Sequence, residues 1–298
     1  MAASTSKLVA TIRNWAECVN EKKWDDLPKY MHSTYNQNGK DYTPETWAAH
    51  VIEEVAPEFG GDVRINVDSI LVDEKAQCVA ISMWFKFEPK KTFLGHEPTG
   101  REIVMVEHGF IWFTEGKLSK ALFVTNNDHM RTQLANPGTE HRPDLISEYP
   151  VPKVEARLSR KELEEIYKAY VDCVNSRRTK TDYEKYVHRP EAVLNNKAIA
   201  SRIVEDTLAA IPDLHVVIHT LIADEESQRL AVWLEFTGTP IKDYAGLVAT
   251  GSPVRFNEHA TYQFVDGKIQ RIWGVMDLDE ARRQQKPAKY SDQVVSGL

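Results

Sequence analysis

The stretch Val254-Arg255-Phe256-Asn257-Glu258-His259-Ala260-Thr261-Tyr262-Gln263-Phe264, followed by Asp266-Gly267 and Lys268-Ile269, alternates apolar and polar residues and then turns sharply. That pattern predicts a long half-buried β-strand and a tight hairpin into the next strand. Much of the stretch is written once before. Glu258-His259 repeats Glu107-His108, Phe264 repeats Phe113, Gly267-Lys268 repeats Gly116-Lys117, and Arg282 repeats Arg131, all at a shift of 151 residues (258 minus 107). Thr250-Gly251 and Asp224-Glu225 keep that shift to Thr99-Gly100 and Asp73-Glu74. Nearer the start of each copy, Cys173-Val174-Asn175 follows Cys18-Val19-Asn20 by 155 (173 minus 18), and Tyr186-x-His188 follows Tyr30-x-His32 by 156 (186 minus 30). A register held over this length predicts one unit used twice.

Chain length agrees, because 298 residues is near the limit of a single hydrophobic core. The segment from Asn136 to Pro152 contains four prolines and few apolar residues, as a connector should. The expected organisation is a first domain at 1–136, a linker at 137–157, a second domain at 158–287 and a tail at 288–298.

Within each copy the period changes. Leu8, Ile12, Trp15 and Val19, and again Leu163, Ile166, Tyr170 and Val174, recur at three- and four-residue spacing and predict an amphipathic first helix. Shorter helices are expected over Trp24 to Met31 and Pro44 to Val55, then over Tyr183 to Val187 and Ile199 to Ile211. Strands follow, over Val63 to Val72, Gln77 to Phe87, Glu102 to Phe113 and Lys117 to Thr125, with matching stretches in the second copy. Helices first and a meander afterwards predict an α+β fold, two tandem units with N-terminal helices packed on a curved antiparallel sheet.

Composition excludes several classes. With Lys+Arg 37 against Asp+Glu 44 and a net charge of -7, the chain has no basic track, and the short cluster Arg177, Arg178, Lys180 reads as a solvated helix end. Nucleic acid is not expected as a partner. No apolar run reaches the ~18 residues of a membrane span, and the N-terminal residues form no signal core, so a cytoplasmic protein is expected. Cys18, Cys78 and Cys173 are odd in number and lack a Cys-x-x-Cys pair, which predicts buried thiols. No His-Glu-x-x-His, Gly-x-Gly-x-x-Gly, Walker loop or Gly-x-Ser-x-Gly occurs, so neither a metal nor a nucleotide cofactor is expected.

By alternation, Val254, Phe256, Glu258, Ala260, Tyr262 and Phe264 share one face, which places Glu258 among apolar neighbours. Strict alternation along the last strand puts Ile269, Arg271, Trp273, Val275 and Asp277 together, bringing a second carboxylate beside Trp273. Two acids in apolar surroundings would have raised pKa values suited to general acid/base work. The alternative is structural: Glu258 pairs with an arginine, and Asp277 caps the helix that begins near Leu278.

The ordered set Pro212-Asp213-Leu214, Leu221-Ile222-Ala223-Asp224, Phe236-Thr237-Gly238-Thr239-Pro240, Glu258-His259-x-x-Tyr262-x-Phe264 and Trp273-x-x-x-Asp277 resembles the SnoaL-like polyketide cyclase family of the nuclear transport factor two-like superfamily. The resemblance implies cone-shaped α+β barrels with a deep pocket between helices and sheet, and cofactor-free chemistry on an activated carbonyl compound. It implies an acid/base aspartate at Asp277, a pocket-facing glutamate at Glu258 and a pocket asparagine at Asn196; Asp277 and Glu258 are then the expected catalytic pair, and Asn196, Tyr262, Trp273 and Phe256 the expected substrate-binding residues. The first copy departs from the pattern, with Asn126 in place of Asp277 and Leu122 in place of Trp273. It therefore reads as a degenerate site based on Glu107, Asn126 and Asn38. The expected function is a cyclase or isomerase acting on a polyketide-like or terpenoid-like small molecule. A dehydratase on the same scaffold and a non-catalytic ligand-binding module are the alternatives. The apolar outer face Val104, Val106, Phe110, Trp112 suggests an intramolecular pseudo-dimer or a homo-oligomer.

Overall fold

In the computed structural model, the described residues are 2–139, 141–188, 191–198 and 203–285. They form two compact units, one ending at Ser147 and the other starting at Glu148. Among them no helix is long and apolar enough to cross a membrane. Residues 199–202, where a helix was expected to start, and the tail 288–298 lie outside the described residues.

In the first unit, α1 (Thr5–Asn20) buries Leu8, Ile12, Trp15 and Val19 as its spacing predicts. A 3-10 turn (Trp24–Lys29), not a full helix, leads into β1 (Met31–Gln37) and β2 (Lys40–Tyr42). Next, α2 (Pro44–His50) is started by Thr43, whose side chain accepts the Thr46 N–H, with Pro44 at the first helical position. It runs through a π-turn (Val51–Val55) into α3 (Ala56–Glu58). The strands β3 (Asn66–Asp73), β4 (Cys78–Phe87), β5 (Ile103–Thr114) and β6 (Lys117–Thr125) precede α4 (Asn127–Ala135). The connector stays with this unit through Ser147, where the Ile146 and Ser147 N–H groups donate to the Asp68 carboxylate.

The second unit repeats the plan. It comprises α5 (Arg160–Asn175), α6 (Thr179–Tyr186), β7 (Val193–Leu194), β8 (Lys197–Ala198), α7 (Ile203–Ala210), β9 (His215–Asp224), β10 (Arg229–Gly238), β11 (Val254–Val265), β12 (Lys268–Met276) and α8 (Leu278–Gln285). A Ser159–Glu162 capping box starts α5. All three cysteines are buried free thiols.

Among the described residues each sheet has six strands, in the orders β2-β1-β6-β5-β4-β3 and β8-β7-β12-β11-β10-β9. The meander is antiparallel as expected, but β1 on β6 and β7 on β12 add a parallel pair that alternation did not predict. Asn38-Gly39, both at positive φ, is the turn that makes the β1–β2 hairpin. Both sheets carry a β-bulge at matching places. Trp112 faces Lys120 while Phe113 faces Leu118, and Gln263 faces Arg271 while Phe264 faces Ile269. One residue, Ser119 or Gln270, is thus skipped, and from there the side chains of β6 and β12 change faces.

Candidate active site

Between the helices and the inner sheet face of the second unit lies a cavity of about 120 Å³. Its wall is largely apolar, and its polar groups are few. The helices α5 and α6 contribute Tyr167, Tyr170 and Tyr183, and the sheet contributes Glu258, Tyr262, Ile272 and Met276. Thr207 on α7 and Tyr244 close one side, with their hydroxyl oxygens 2.7 Å apart. The Tyr167 and Tyr262 rings meet edge to face at 4.8 Å. Their hydroxyls approach without the geometry of a full hydrogen bond. Burial raises the pKa of Tyr167, Tyr170 and Tyr262 well above the ordinary phenol value, so each keeps its proton and can donate it in a hydrogen bond.

Among the described residues, Glu258 is the only carboxylate lining this cavity. It stands opposite Leu234 on β10 and Met276 on β12, both of which also line the cavity. The side chain is 5% exposed, and burial alone pushes its pKa up to about 7. Near neutral pH such a group is divided between acid and base, the condition under which one carboxyl can take a proton and return it. Gly274 lies beneath it: a methyl group there would stand 2.6 Å from a Glu258 carboxyl oxygen.

The model of one protein family, SnoaL-like polyketide cyclase, matches residues 9–134 and again residues 164–285. The chain belongs to the SnoaL-like polyketide cyclase family. A SnoaL-like polyketide cyclase from Agrobacterium tumefaciens str. C58 is 30% identical over 42% of this chain and 98% of its own, with a TM-score of 0.38. TsrD from Streptomyces laurentii is 18% identical over 43% of this chain and 97% of its own, with a TM-score of 0.39. IdmH from Streptomyces antibioticus is 17% identical over 41% and 96%, with a TM-score of 0.35. No curated protein matches the chain.

The structure of this SnoaL-like chain corrects several expected site residues. The bulge at Gln270 turns Ile272, Gly274 and Met276 inward and sends Trp273 and Asp277 to the other face, so Glu258 and Asp277 do not converge. Trp273 instead packs on Tyr149, with the guanidinium groups of Arg229 and Arg271 over its ring at 5.7 and 5.6 Å. Asp277 is the N-cap of α8, its carboxylate accepting the Glu280 N–H at 3.0 Å, and burial raises its pKa. Asn126 does the same for α4, accepting the His129 N–H. The structural alternative therefore holds for Asp277 but not for Glu258, which lines the cavity and has burial, not an arginine, acting on its carboxyl. Asp277→Asn, which keeps a good cap, is expected to leave turnover unchanged, whereas Asp277→Ala should cost about 1 kcal/mol of stability, read by urea denaturation.

Asn196 is corrected too. It is exposed at the β7–β8 turn, its carbonyl oxygen accepting from the Tyr149 hydroxyl and the Arg271 guanidinium, away from the cavity. The true counterpart of Asn38 is Asn195, one residue earlier. Asn38 accepts the Phe123 N–H; Asn195 accepts the Gly274 N–H and donates to the Gly274 carbonyl. Both asparagines hold a strand in place and neither is placed to touch a guest. Phe256 stays on the inner face, stacked at 5.2 Å on Phe236, which lines the cavity. Tyr262 lines it directly. The spacing marks Tyr170 only as part of the buried stripe of α5 and gives no sign that Tyr167, Tyr170 and Tyr183 line a cavity. Among the described residues no three His, Cys, Asp or Glu side chains gather as a metal site.

In the first SnoaL-like unit, Glu107 is 0% exposed. One carboxyl oxygen accepts the Thr125 hydroxyl at 2.8 Å, and the other has no hydrogen-bond partner among the described residues. Burial pushes its pKa up to about 8, against the opposing pull of Thr125. A separate hollow of this unit, between Val19, Trp24, Ile52 and Val63, does not reach it.

Proposed function

We propose that the second unit is a cofactor-independent cyclase or isomerase in which Glu258 moves a proton at the carbon alpha to a carbonyl of a polyketide-like or terpenoid-like intermediate. The observation that carries this reading is one carboxyl, poised near pH 7, inside an apolar chamber lined with protonated tyrosines. The Glu258 carboxylate accepts the C–H proton, and the electron pair moves onto the carbonyl oxygen. A hydroxyl of Tyr262 or Tyr167 donates a hydrogen bond to that developing enolate. The enolate carbon then attacks a second carbonyl and closes a ring, or is reprotonated elsewhere, and the protonated Glu258 gives its proton back. An apolar cavity of about 150 Å³ holds benzene, so a chamber of about 120 Å³ takes at most one ring at a time.

Proton abstraction can be read without the natural substrate. A monocyclic enone in heavy water is expected to take up deuterium at the alpha carbon faster with the protein present. The rate should rise with pH through about 7 and then level off, because only ionised Glu258 abstracts a proton. Exchange at the buffer rate, or a profile flat across pH 7, would sink the proposal. With a true substrate, product mass separates this reading from a dehydratase, since ring closure or isomerisation keeps mass and dehydration loses one water.

A further inference from the structure

One cross-strand pair beside the buried acid sets the two units apart. In the second, Ala260 faces Gly274; in the first, at a shift of 151 (274 minus 123), Gly109 faces Phe123. Each pair contains one glycine, but on opposite strands. A methyl on Gly274 would stand 2.6 Å from a Glu258 carboxyl oxygen, and a methyl on Gly109 would stand 2.2 Å from the Phe123 ring. The room made by glycine is therefore occupied by the acid in one unit and by a phenyl ring in the other. With a Cβ at position 123, Glu107 cannot lie as Glu258 does, and its carboxyl takes Thr125 instead, the counterpart of the cavity residue Met276. Strand register also matches Tyr35 to Ala192, because Asn36 faces Lys120 where Val193 faces Arg271. Two large buried side chains thus stand in the first unit where the second has small ones.

We propose that Gly274 is the specificity-determining residue of the acid–base site: its missing side chain seats the Glu258 carboxyl and keeps the chamber open, and the same position filled by Phe123 has closed the matching site of the first unit. The catalytic half of this statement rests on the proposed role of Glu258. Asn195 is a positioning residue, since its side chain takes both backbone groups of Gly274. The chain then carries one open site for a neutral, ring-sized guest, and a closed second one beside Glu107.

The test counts guests, using p-cresol as probe and isothermal titration on the full chain. One p-cresol per wild-type chain is expected, none for Gly274→Phe, and two for Gly109→Ala with Phe123→Gly. No binding to the wild type, one bound by Gly274→Phe, or one bound by the opened double variant with an intact unfolding transition would each overturn the proposal. If that variant does not fold, Phe123→Ala supplies the milder opening and the Gly274→Phe result stands independently. Gly274→Ala should lower kcat on the order of 100-fold and displace the pH limb near 7, with KM little changed, because the carboxyl must move. A Gly274→Ala protein with wild-type kcat and pH limb would equally overturn it. Binding counts need no turnover. If Glu258→Gln retains activity, the acid–base reading fails while the counts still decide whether Gly274 keeps the chamber open.

Discussion

Glu258→Gln is expected to lower kcat/KM by about 100- to 10,000-fold, or roughly 3 to 5 kcal/mol of barrier, with the second unit still folded. Glutamine has nearly the same shape and length, so it keeps the contacts with Leu234, Met276 and Gly274 but can neither take nor return a proton. The natural control is Asp277→Asn, the same chemical change 19 residues on (277 minus 258), at a carboxylate that caps α8. Loss in the first variant and none in the second would locate the chemistry on the inner face of the sheet. Equal losses would return Asp277 to the mechanism. Retained activity in Glu258→Gln would remove the acid altogether. Folding is checked separately: wild-type stability should fall by about 3 kcal/mol between pH 4.5 and 7 as the buried carboxyl resists ionising, and the variant should lack that fall while carrying a pH-independent cost of about 1–3 kcal/mol for its buried amide.

Most of the plan was legible in the residues. The repeat, the helices that open each copy, the meander and the inward face of Glu258 all follow from spacing, because periods of 3.6 and 2 survive as long as the backbone stays regular. The errors arose where it does not. Gln270 is a bulge with no residue type to announce it, and one skipped residue was enough to move Trp273 and Asp277 across the sheet. The short strands β1, β2, β7 and β8 contain too few residues for a period to show. Asn38-Gly39 was a readable hairpin signal, and reading it would also have aligned Asn38 with Asn195 rather than Asn196. The cavity itself was least legible, since Tyr167, Tyr170 and Tyr183 look like ordinary core residues of a helix until the small residues opposite leave them a space to face.

Glu107→Gln is expected to abolish a pH dependence of stability amounting to about 5 kcal/mol. In the unfolded chain the carboxyl ionises near 4.5; in the folded unit burial holds it protonated to about 8. Below pH 4.5 both states are protonated, and stability is at its highest from this source. Between about 4.5 and 8 the unfolded state releases a proton that the folded state keeps, so stability falls by about 1.4 kcal/mol per pH unit. Above about 8 both are ionised and the loss is complete. Glutamine does not titrate. It still accepts the Thr125 hydroxyl but buries an amide N–H₂ that gains no partner, a penalty of about 1–3 kcal/mol at every pH. The two stability curves should therefore cross, the wild type being more stable at pH 4 and the variant at pH 9. Because other groups titrate in both proteins, the difference between the curves carries the assignment, measured by hydrogen exchange of the β5 and β6 amides. A difference constant from pH 4 to 9 would mean that Glu107 ionises alike in the folded and unfolded chain, and the sealed site beside Phe123 would have to be open to water after all.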